Sequence, residues 1–305
     1  MDTFRPMTLE DRELYLNCSP PNENSKFSFA NGYLWQKVYK TKMCIRPEGL
    51  LFTAQYGESA PYLVSPILRP NQNIGTLMDW GRDYIIKETG RFLMKCVCPQ
   101  IIKEIQAQRP GEYEFILDRG SSEYIYKTQM LAELPGRELH QKRNHINAFL
   151  RGHSFEYLDY TPDMLEDLMN VQEQWLLGKN LTQDEETAVI RHALENYGQL
   201  GLRAAVIKTE GQIAAFSVGD MLSENAALIL FEKALPQYNG LFQLINRESA
   251  ARLFKDTSLI NRGEDLDLPG LRKSKLSYKP EYILEKFDCR LKSDLNGSEN
   301  KASEI

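Results

Sequence analysis

The sequence predicts a mixed α+β protein built from two similar domains, each with a mixed β-sheet flanked by helices. The chain of 305 residues is long enough for one large or two ordinary domains. Its content of 42% hydrophobic and 26% charged residues is typical of a globular protein. The second half shows helical and strand periodicities in the order β-α-α-β-β-β-α-β-α-β. The first half repeats this order more loosely, which suggests a tandem arrangement.

The second half gives the clearest individual elements. A strand is predicted at 155–160, and Thr161-Pro162-Asp163 then begins a helix that extends to about Trp175. A Glu210-Gly211 turn separates two of the strands that follow. The remaining elements are, in order, a helix from about Thr182, strands at 202–208, 212–219 and 226–233, a helix at 240–254, a short strand near Leu259, a helix at 271–277 and a strand at 282–291.

The first half gives weaker patterns. Its elements are, in order, a helix at 9–16, strands at 33–39, 50–56 and 62–68, a helix at 76–87, a strand at 92–98, a helix at 100–108 and a strand at 114–118. A linking region with a basic helix follows at 119–152. We therefore predict a first domain at 1–152, a second domain at 153–292 and a polar, disordered tail at 293–305.

Charge and cysteine content limit the possible classes of function. The net charge of −5 argues against a surface devoted wholly to nucleic acid, although residues 137–153 are locally basic. No signal peptide is recognisable, and no apolar run approaches the roughly 18 residues that cross a bilayer. Five cysteines without a C-x-x-C pair fit a reducing compartment and make a zinc site improbable. We therefore expect a cytoplasmic protein without a transmembrane segment or metal.

Three segments resemble one known family. The run Gly136-Arg137-Glu138-Leu139-His140-Gln141-Lys142-Arg143-Asn144-His145-Ile146-Asn147-Ala148-Phe149-Leu150 is similar to a G-K-x-x-x-x-K-R-N-x-I-N-x-F segment. Phe231-Glu232-Lys233-Ala234, followed by Gly240 to Asn246, gives a second match, and Ile260 to Pro280 resembles a closing N-x-x-x-D-x-x-x-x-G-L-R-x-x-K-x-x-Y/F-x-P motif. These are segments of the phosphatidylglycerol lysyltransferase C-terminal domain family, which the chain resembles from its middle to near its end.

The resemblance implies a tandem pair of GNAT-like acyltransferase domains, and the element order of the second half agrees with that fold. It also implies transfer of an aminoacyl group from aminoacyl-tRNA to an amine or hydroxyl acceptor. Lipid-modifying members of the family carry membrane spans ahead of this domain. This sequence shows no such span, which weakens the expectation that the acceptor is a lipid. A small molecule, a peptide and a lipid headgroup all stay open as acceptors.

The predicted basic helix carries a polar stripe beside its apolar face. His140, Arg143, Asn144 and Asn147 follow one another at i, i+3, i+4 and i+7. Asparagine lowers helix propensity by roughly half a kcal/mol relative to Ala. The stripe therefore either binds a ligand or satisfies backbone groups at a domain interface.

The closing motif concentrates charge around a Pro-Gly break. Arg272 and Lys275 lie near one face of the predicted helix, and with Arg143 we expect them to contact an anion such as the tRNA end. Asn261, Glu264 and Asp265 are expected to position an incoming amine. Gly270 and Tyr278 enter the predicted substrate site because they match the family motif. The alternative is a solvated charged hairpin.

Glu232 is the candidate general base because it ends the strand beside which reacting groups meet in a GNAT-like sheet. Its alternative role is a salt bridge to Lys275 or Arg272. Lys233, also assigned to the substrate site, points to the opposite face of the strand.

The loop Gln237-Tyr238-Asn239-Gly240-Leu241-Phe242 stands where acetyltransferases bind the CoA pyrophosphate. Phe242 replaces the small residue that lets a phosphate approach, so we expect no cofactor and disfavour acetyl-CoA. The sequence thus predicts an aminoacyltransferase. The alternatives are a non-catalytic binding module on the same fold and an acyl-CoA N-acyltransferase.

Overall fold

A computed structural model describes residues 3–19, 22–181 and 184–294. Within these residues, eleven strands form one mixed sheet in the order β1-β2-β3-β4-β11-β5-β10-β9-β8-β7-β6. The strands are β1 (Lys42–Ile45), β2 (Gly49–Ala54), β3 (Tyr62–Leu68), β4 (Met94–Val97), β5 (Tyr113–Lys127), β6 (Glu156–Asp159), β7 (Arg203–Thr209), β8 (Gln212–Ser223), β9 (Ala226–Ala234), β10 (Leu259–Glu264) and β11 (Tyr282–Leu291).

Helices cover the two faces of this sheet, as the mixed α+β prediction requires. They are α1 (Arg12–Cys18), α2 (Phe29–Trp35), α3 (Ile74–Thr89), α4 (Pro99–Gln108), α5 (Thr128–Glu133), α6 (His140–Gly152), α7 (Leu165–Leu177), α8 (Glu185–Glu195), α9 (Tyr197–Leu200), α10 (Leu241–Glu248) and α11 (Pro269–Leu276). None of the helices in the described residues is long and apolar enough to cross a membrane.

The strand order shows how the two halves of the chain are joined. Each half contributes an antiparallel meander that ends in a parallel pair, β3 with β4 and β9 with β10. The last strand, β11, lies between β4 and β5 of the first half. The long strand β5 pairs with β11 along most of its length and with β10 at its end. The predicted boundary at residue 152 therefore separates two halves that share a single sheet, and the boundary itself stays a prediction.

The first half departs from the sequence prediction at several points. The predicted strand at 33–39 is wrong, because residues 29–35 form α2. Ser28 caps this helix by accepting a hydrogen bond from the Asn31 amide, a local contact that outweighs the strand-like aromatic spacing. The strand predicted at 114–118 extends to Lys127, so the first part of the predicted linker, residues 119–127, belongs to the sheet.

Other sequence predictions are incomplete or fall outside the described residues. Strand β1 and helix α5 were not predicted. The helix expected from about Thr182 begins at Glu185 with Asp184 as its N-cap, while residues 182–183 lie outside the described residues. The tail predicted at 293–305 also lies outside them from residue 295 onward.

The main apolar core extends across both halves. Tyr15 and Phe29, from the two N-terminal helices, pack edge to face at 5.5 Å between ring centroids and join the same buried cluster as Phe216 of β8. The N-terminal helices thus cover the core of the second half. This packing fixes the segment around residue 25 beside β10, where buried polar residues of both halves meet.

Candidate functional site

A polar cleft forms where β9 and β10 separate. These parallel strands pair from Leu259↔Ala226 to Asn261↔Leu228, and no pairing between them follows in the described residues. Glu232 of β9 and Arg262 of β10 lie beyond this point and bridge the gap, with 3.1 Å between Arg262 Nη2 and Glu232 Oε2. Their side chains are only 5% and 10% exposed, so an ion pair is buried inside the splayed sheet.

Glu232 has a second partner on the helix that follows β9. Asn246 Nδ2 of α10 donates to both carboxylate oxygens, at 3.3 and 3.2 Å. Burial raises the pKa of Glu232, while Arg262 and Asn246 oppose that rise. A carboxyl with a raised pKa, held in place by two donors, is suited to accept a proton during a reaction. The ion pair predicted for Glu232 thus forms with Arg262 instead of Lys275 or Arg272.

Aromatic rings and another cation complete the cleft. The Arg262 guanidinium carbon lies 4.7 Å from the ring centroid of Tyr278 and 5.7 Å from that of Tyr126. Lys142 of α6 places Nζ 4.2 Å from the Tyr278 centroid. Burial and the neighbouring Arg262 charge lower the pKa of Lys142. The six residues that form this cleft are called the splay site below: Lys142, Tyr126, Glu232, Asn246, Arg262 and Tyr278.

The splay site has unused hydrogen-bonding capacity and a net positive charge. Arg262 Nη1, the Tyr278 hydroxyl and Asn246 Oδ1 are buried, and none has a hydrogen-bond partner among the described residues. The site holds two cations, Arg262 and Lys142, and one carboxylate, Glu232, which pairs with Arg262. Because buried polar groups are nearly always satisfied in folded proteins, these groups mark a place that can receive a polar ligand. The charge balance favours an oxyanion or another negatively charged group.

Lys275 lies next to this site but is directed at backbone. Its Nζ donates to the carbonyl oxygens of Arg262 and Glu264, the second at 2.6 Å. Burial lowers the pKa of Lys275 to about 8. Tyr126 in turn donates its hydroxyl to the Lys275 carbonyl oxygen at 2.8 Å. Lys275 therefore shapes the strand that carries Arg262, and its predicted contact with an anion stays a prediction.

Arg272 is held by acids of its own motif. Its guanidinium donates to both oxygens of Asp265, at 2.7 and 2.9 Å, and to Asp267 at 2.5 Å. Asp265 also accepts hydrogen bonds from Arg119 and from the Tyr124 hydroxyl. Hydrogen bonds from Arg272 first, and then from Tyr124 and the Asp267 amide, hold the pKa of Asp265 well below its usual range. The structure thus places Arg272 and Asp265 in one network that fixes the start of α11.

Asn261 and Glu264 join other buried charges. Asn261 Nδ2 donates to Glu123 Oε2 at 2.6 Å, and Glu123 forms an ion pair with Lys286 at 3.3 Å. The whole group is called the junction cluster below: Asn24, Ser25, Glu123, Asn261 and Lys286. Glu264 faces Lys26 at 3.7 Å. Gly270 is exposed in the first turn of α11, with open space beside its Cα.

The predicted stripe on α6 lies away from the splay site. The exposed His140 and Asn144 contact each other at 3.3 Å, and Asn147 is exposed. Arg143 donates to the carbonyl oxygens of Leu134 and Gly136, which holds the loop before α6. None of these residues is brought to Glu232.

Lys142 and Arg262 were not among the predicted site residues, although the sequence pattern around each of them points to a cation on a buried face. Lys142 interrupts the apolar stripe of α6, between the buried residues Leu139 and Ile146. Arg262 stands two residues after the buried Ile260 and therefore shares its face of β10. A cation at a core-facing position is a stronger functional signal than a polar residue on an exposed stripe.

Two further predicted features lie on other surfaces. Lys233 contacts Glu186 at 2.5 Å and stacks on Trp175 at 3.9 Å, on the opposite face of β9 from Glu232. Gly240 has a φ of 93° and packs against α6 so closely that an added Cβ would lie 2.0 Å from the His145 carbonyl oxygen. Among the described residues, no group of three or more His, Cys, Asp or Glu side chains could hold a metal ion.

Comparison with known proteins places the chain among transferases. The model of the family "Phosphatidylglycerol lysyltransferase, C-terminal" matches residues 21–290. A conserved protein of unknown function from Bacteroides thetaiotaomicron has 32% sequence identity and a TM-score of 0.88, over 96% of this chain and 100% of that chain. L-PGS from Bacillus licheniformis is 17% identical with a TM-score of 0.66, over 93% of this chain and 92% of that one.

A tandem GNAT protein from the clavulanic acid biosynthesis pathway shares the fold, with a TM-score of 0.53 over 95% of this chain and 98% of that chain at 12% identity. The predicted GNAT-like fold is thus confirmed. An uncharacterized protein of Mycoplasmoides gallisepticum is 26% identical over 177 residues, 56% of this chain. The match covers 57% of that curated relative, somewhat more than half of its length.

Proposed function

The chain belongs to the phosphatidylglycerol lysyltransferase C-terminal family, a family of transferases, and on that premise we propose that it is an aminoacyltransferase. The donor is an aminoacyl-tRNA, and the acceptor is an amine or a hydroxyl group. Because charged tRNA is made in the cytoplasm, the proposal also implies a cytoplasmic protein.

The composition of the splay site carries this proposal. Arg262 and Lys142 both contact the Tyr278 ring, and the Glu232 carboxylate pairs with Arg262. Transfer of an acyl group requires a base for the nucleophile and a donor for the oxyanion of the tetrahedral intermediate. Glu232 supplies the base, and the buried Nη1 of Arg262 supplies the donor. The base and the guanidinium that carries the oxyanion donor are thus 3.1 Å apart, and both side chains are buried.

The reaction follows from these positions. Glu232 removes a proton from the attacking amine or hydroxyl, which forms a bond to the ester carbonyl carbon. Arg262 stabilises the negative charge on the carbonyl oxygen in the intermediate. The bond to the ribose oxygen then breaks, and the proton passes from Glu232 to that leaving oxygen. Lys142 attracts the phosphates of the tRNA end, and its proximity to Arg262 makes the site anion-selective.

The loop at 237–242 disfavours acyl-CoA as the donor. In a CoA-dependent enzyme, the backbone amides at the start of the following helix must be open to a pyrophosphate. Here Gly240 packs on the backbone of α6 at His145, and Asn239 contacts the His145 ring at 3.3 Å. This packing supports a donor that enters the splay site from another side.

The proposal is tested by adding protein to a radiolabelled aminoacyl-tRNA together with a mixture of small amines and cell-wall or lipid headgroup acceptors. Release of the label from tRNA into acceptor is expected with the wild type. Arg262→Gln is expected to reduce the rate by about 100-fold or more, as removal of an oxyanion donor does elsewhere. Lys142→Met gives a second variant in case loss of Arg262 impairs folding.

Arg203→Gln is the matched control, because Arg203 donates to the Leu253 carbonyl oxygen in the same half and has no contact with the splay site. It should retain the wild-type rate. Tight binding of aminoacyl-tRNA without any transfer would indicate the non-catalytic module instead. Transfer from acetyl-CoA, or equal rates for wild type and Arg262→Gln, would contradict the proposal.

A further inference from the structure

A cavity of about 280 Å³ opens beside the splay site, at the loop between α5 and α6. Arg143 shapes this loop because its guanidinium donates to the carbonyl oxygens of Leu134 and Gly136. Gly136 has a φ of 75°, a conformation that few other residues adopt without strain. The cavity wall is therefore held by specific contacts and does not depend on a freely moving loop. It is called the loop cavity below.

The lining of the loop cavity divides into an apolar and a charged part. Met130, Pro135 and Leu139 provide the apolar wall. Arg137 and Lys279 provide two cations, and Glu138 contacts Lys279 at 2.8 Å. With one carboxylate against two cations, the charged part is net positive. A ligand with a flat apolar surface and an attached phosphate matches both parts.

The loop cavity adjoins the splay site through two short connections. Lys279 directly follows Tyr278, whose ring contacts both Arg262 and Lys142. The Lys142 amide donates to the Leu139 carbonyl oxygen at 3.0 Å, within the first turn of α6. The loop cavity and the splay site are therefore lined by residues of the same two segments, the start of α6 and the Tyr278–Lys279 pair.

A larger cavity elsewhere has the opposite character. It has a volume of about 460 Å³ and lies between α1 and the segment that follows β3. Glu10 and Glu13 line it together with Arg69, so its charge disfavours a phosphate. The loop cavity therefore suits a phosphate better than the larger cavity does, because its charged part is net positive and Lys279 directly follows Tyr278 of the splay site.

We infer that the loop cavity binds the terminal nucleoside of the aminoacyl-tRNA, with its base on the Met130–Leu139 wall and its phosphate at Arg137 and Lys279. The inference rests on the proposed function, because the loop cavity would bind the aminoacyl-tRNA that serves there as the donor. The 3′ ester then extends past Tyr278 toward Arg262 and Glu232. Glu138 is placed to accept a hydrogen bond from the base or the ribose. A terminal nucleoside in this cavity fixes the position of the scissile ester.

The test compares two fluorescent single-stranded RNAs in anisotropy titrations, one ending in CCA and one lacking the final A. Wild-type protein is expected to bind the longer RNA about tenfold more tightly, because the terminal base buries apolar surface against Met130, Pro135 and Leu139. Arg137→Ala with Lys279→Ala should remove that preference and weaken binding by about tenfold or more. Lys87→Ala with Lys103→Ala removes the same charge from exposed positions of α3 and α4 and should change neither quantity.

Competition distinguishes the ligand classes, and transfer from aminoacyl-tRNA is measured in parallel. Adenosine monophosphate should displace the RNA better than glycerol phosphate does; equal displacement would indicate a lipid headgroup and overturn the inference. An unchanged preference for the final A in the Arg137/Lys279 double variant also overturns it. If wild-type transfer is intact in those cases, the proposed function stands. Lack of both RNA binding and transfer in the wild type overturns the two together.

Discussion

Two adjacent residues of β10, Asn261 and Arg262, belong to two different buried charge clusters. Asn261 faces the junction cluster, where Glu123 and Lys286 are both fully buried and contact each other at 3.3 Å. Arg262, one residue on, points to the other face and enters the splay site with Glu232. Strand β10 thus has the junction cluster, which joins the two halves, on one face and the splay site, where we propose the reaction, on the other.

The difference between the clusters lies in how completely their charges are matched. In the junction cluster, Glu123 accepts hydrogen bonds from the Ser25 amide and hydroxyl and from Asn261, while Lys286 donates to Asn24. In the splay site, Arg262 pairs with Glu232, Lys142 lies on the Tyr278 ring, and three buried polar atoms have no partner in the described part of the chain. The junction cluster has one such atom, Asn24 Nδ2, but its two charges are paired with each other, so removal of either one would leave a buried charge without a partner.

The largest effect is expected from breaking the junction cluster. Lys286→Met leaves the Glu123 carboxylate buried without its cation, which should lower the free energy of unfolding by about 3–5 kcal/mol. Urea denaturation measures this loss. The double variant Glu123→Gln, Lys286→Met should recover much of it, because no unpaired charge then remains. A single variant as stable as the wild type would show that this pair does not hold the halves together.

Another buried carboxyl group, that of Asp220, should make the free energy of unfolding depend on pH. Asp220 accepts a hydrogen bond from Ser28, faces Arg12 and Tyr15, and has no ion pair in the described residues. Burial raises the pKa of Asp220 to about 6. Because the folded state then binds more protons than the unfolded state, the free energy of unfolding should fall as pH rises from about 4 to 6, by up to about 3 kcal/mol, and level off above.

Asp220→Asn should remove this pH dependence, because the amide keeps the Ser28 contact without a titrating charge. The variant should therefore be more stable than the wild type at pH 7 and similar to it at pH 4. Thermal denaturation across this range makes the comparison. Parallel curves for both proteins would rule out Asp220 as the source.

In the splay site, Glu232→Gln should affect the reaction more than the fold. The substitution keeps the shape but removes the base, so the transfer rate should fall about 100-fold, equal to about 2.7 kcal/mol. The midpoint of thermal unfolding is the control and should move less than for Lys286→Met, because the Gln side chain keeps an oxygen that accepts from Arg262. Full activity of the variant would exclude Glu232 as the base.

The smallest effect is expected from Lys142→Met, which should change the affinity for aminoacyl-tRNA but not lower the stability of the fold. Lys142→Met keeps the packing on Tyr278 and removes a half-buried cation that has a lowered pKa. Affinity for aminoacyl-tRNA should fall about tenfold, with a weaker salt dependence. Stability should stay constant or rise slightly at pH 7, because an unfavourable buried charge is lost. Reduced stability with unchanged affinity would assign Lys142 to the fold.

The sequence predicted most of the second half because its elements have strong local signals. The Glu210-Gly211 turn and the strand at 282–291 match the structure, where β11 spans Tyr282–Leu291. The strand predicted at 33–39 failed because a cap at Ser28 and burial against the second half decide that segment. Of the predicted site residues, Glu232 and Tyr278 lie in the splay site, whereas Arg143 and Arg272 form local contacts.

By itself, the sequence determined the fold class, the tandem pattern and the acid at the end of β9, because these follow from periodicity and from short motifs. Only the tertiary structure decided which cations meet that acid. Lys142, Glu232 and Arg262 come from three distant segments, and the insertion of β11 beside β5 brings the halves into one sheet. Charge alone could not distinguish Arg262 from Arg272, since both lie in one motif and differ only in the partners that folding gives them.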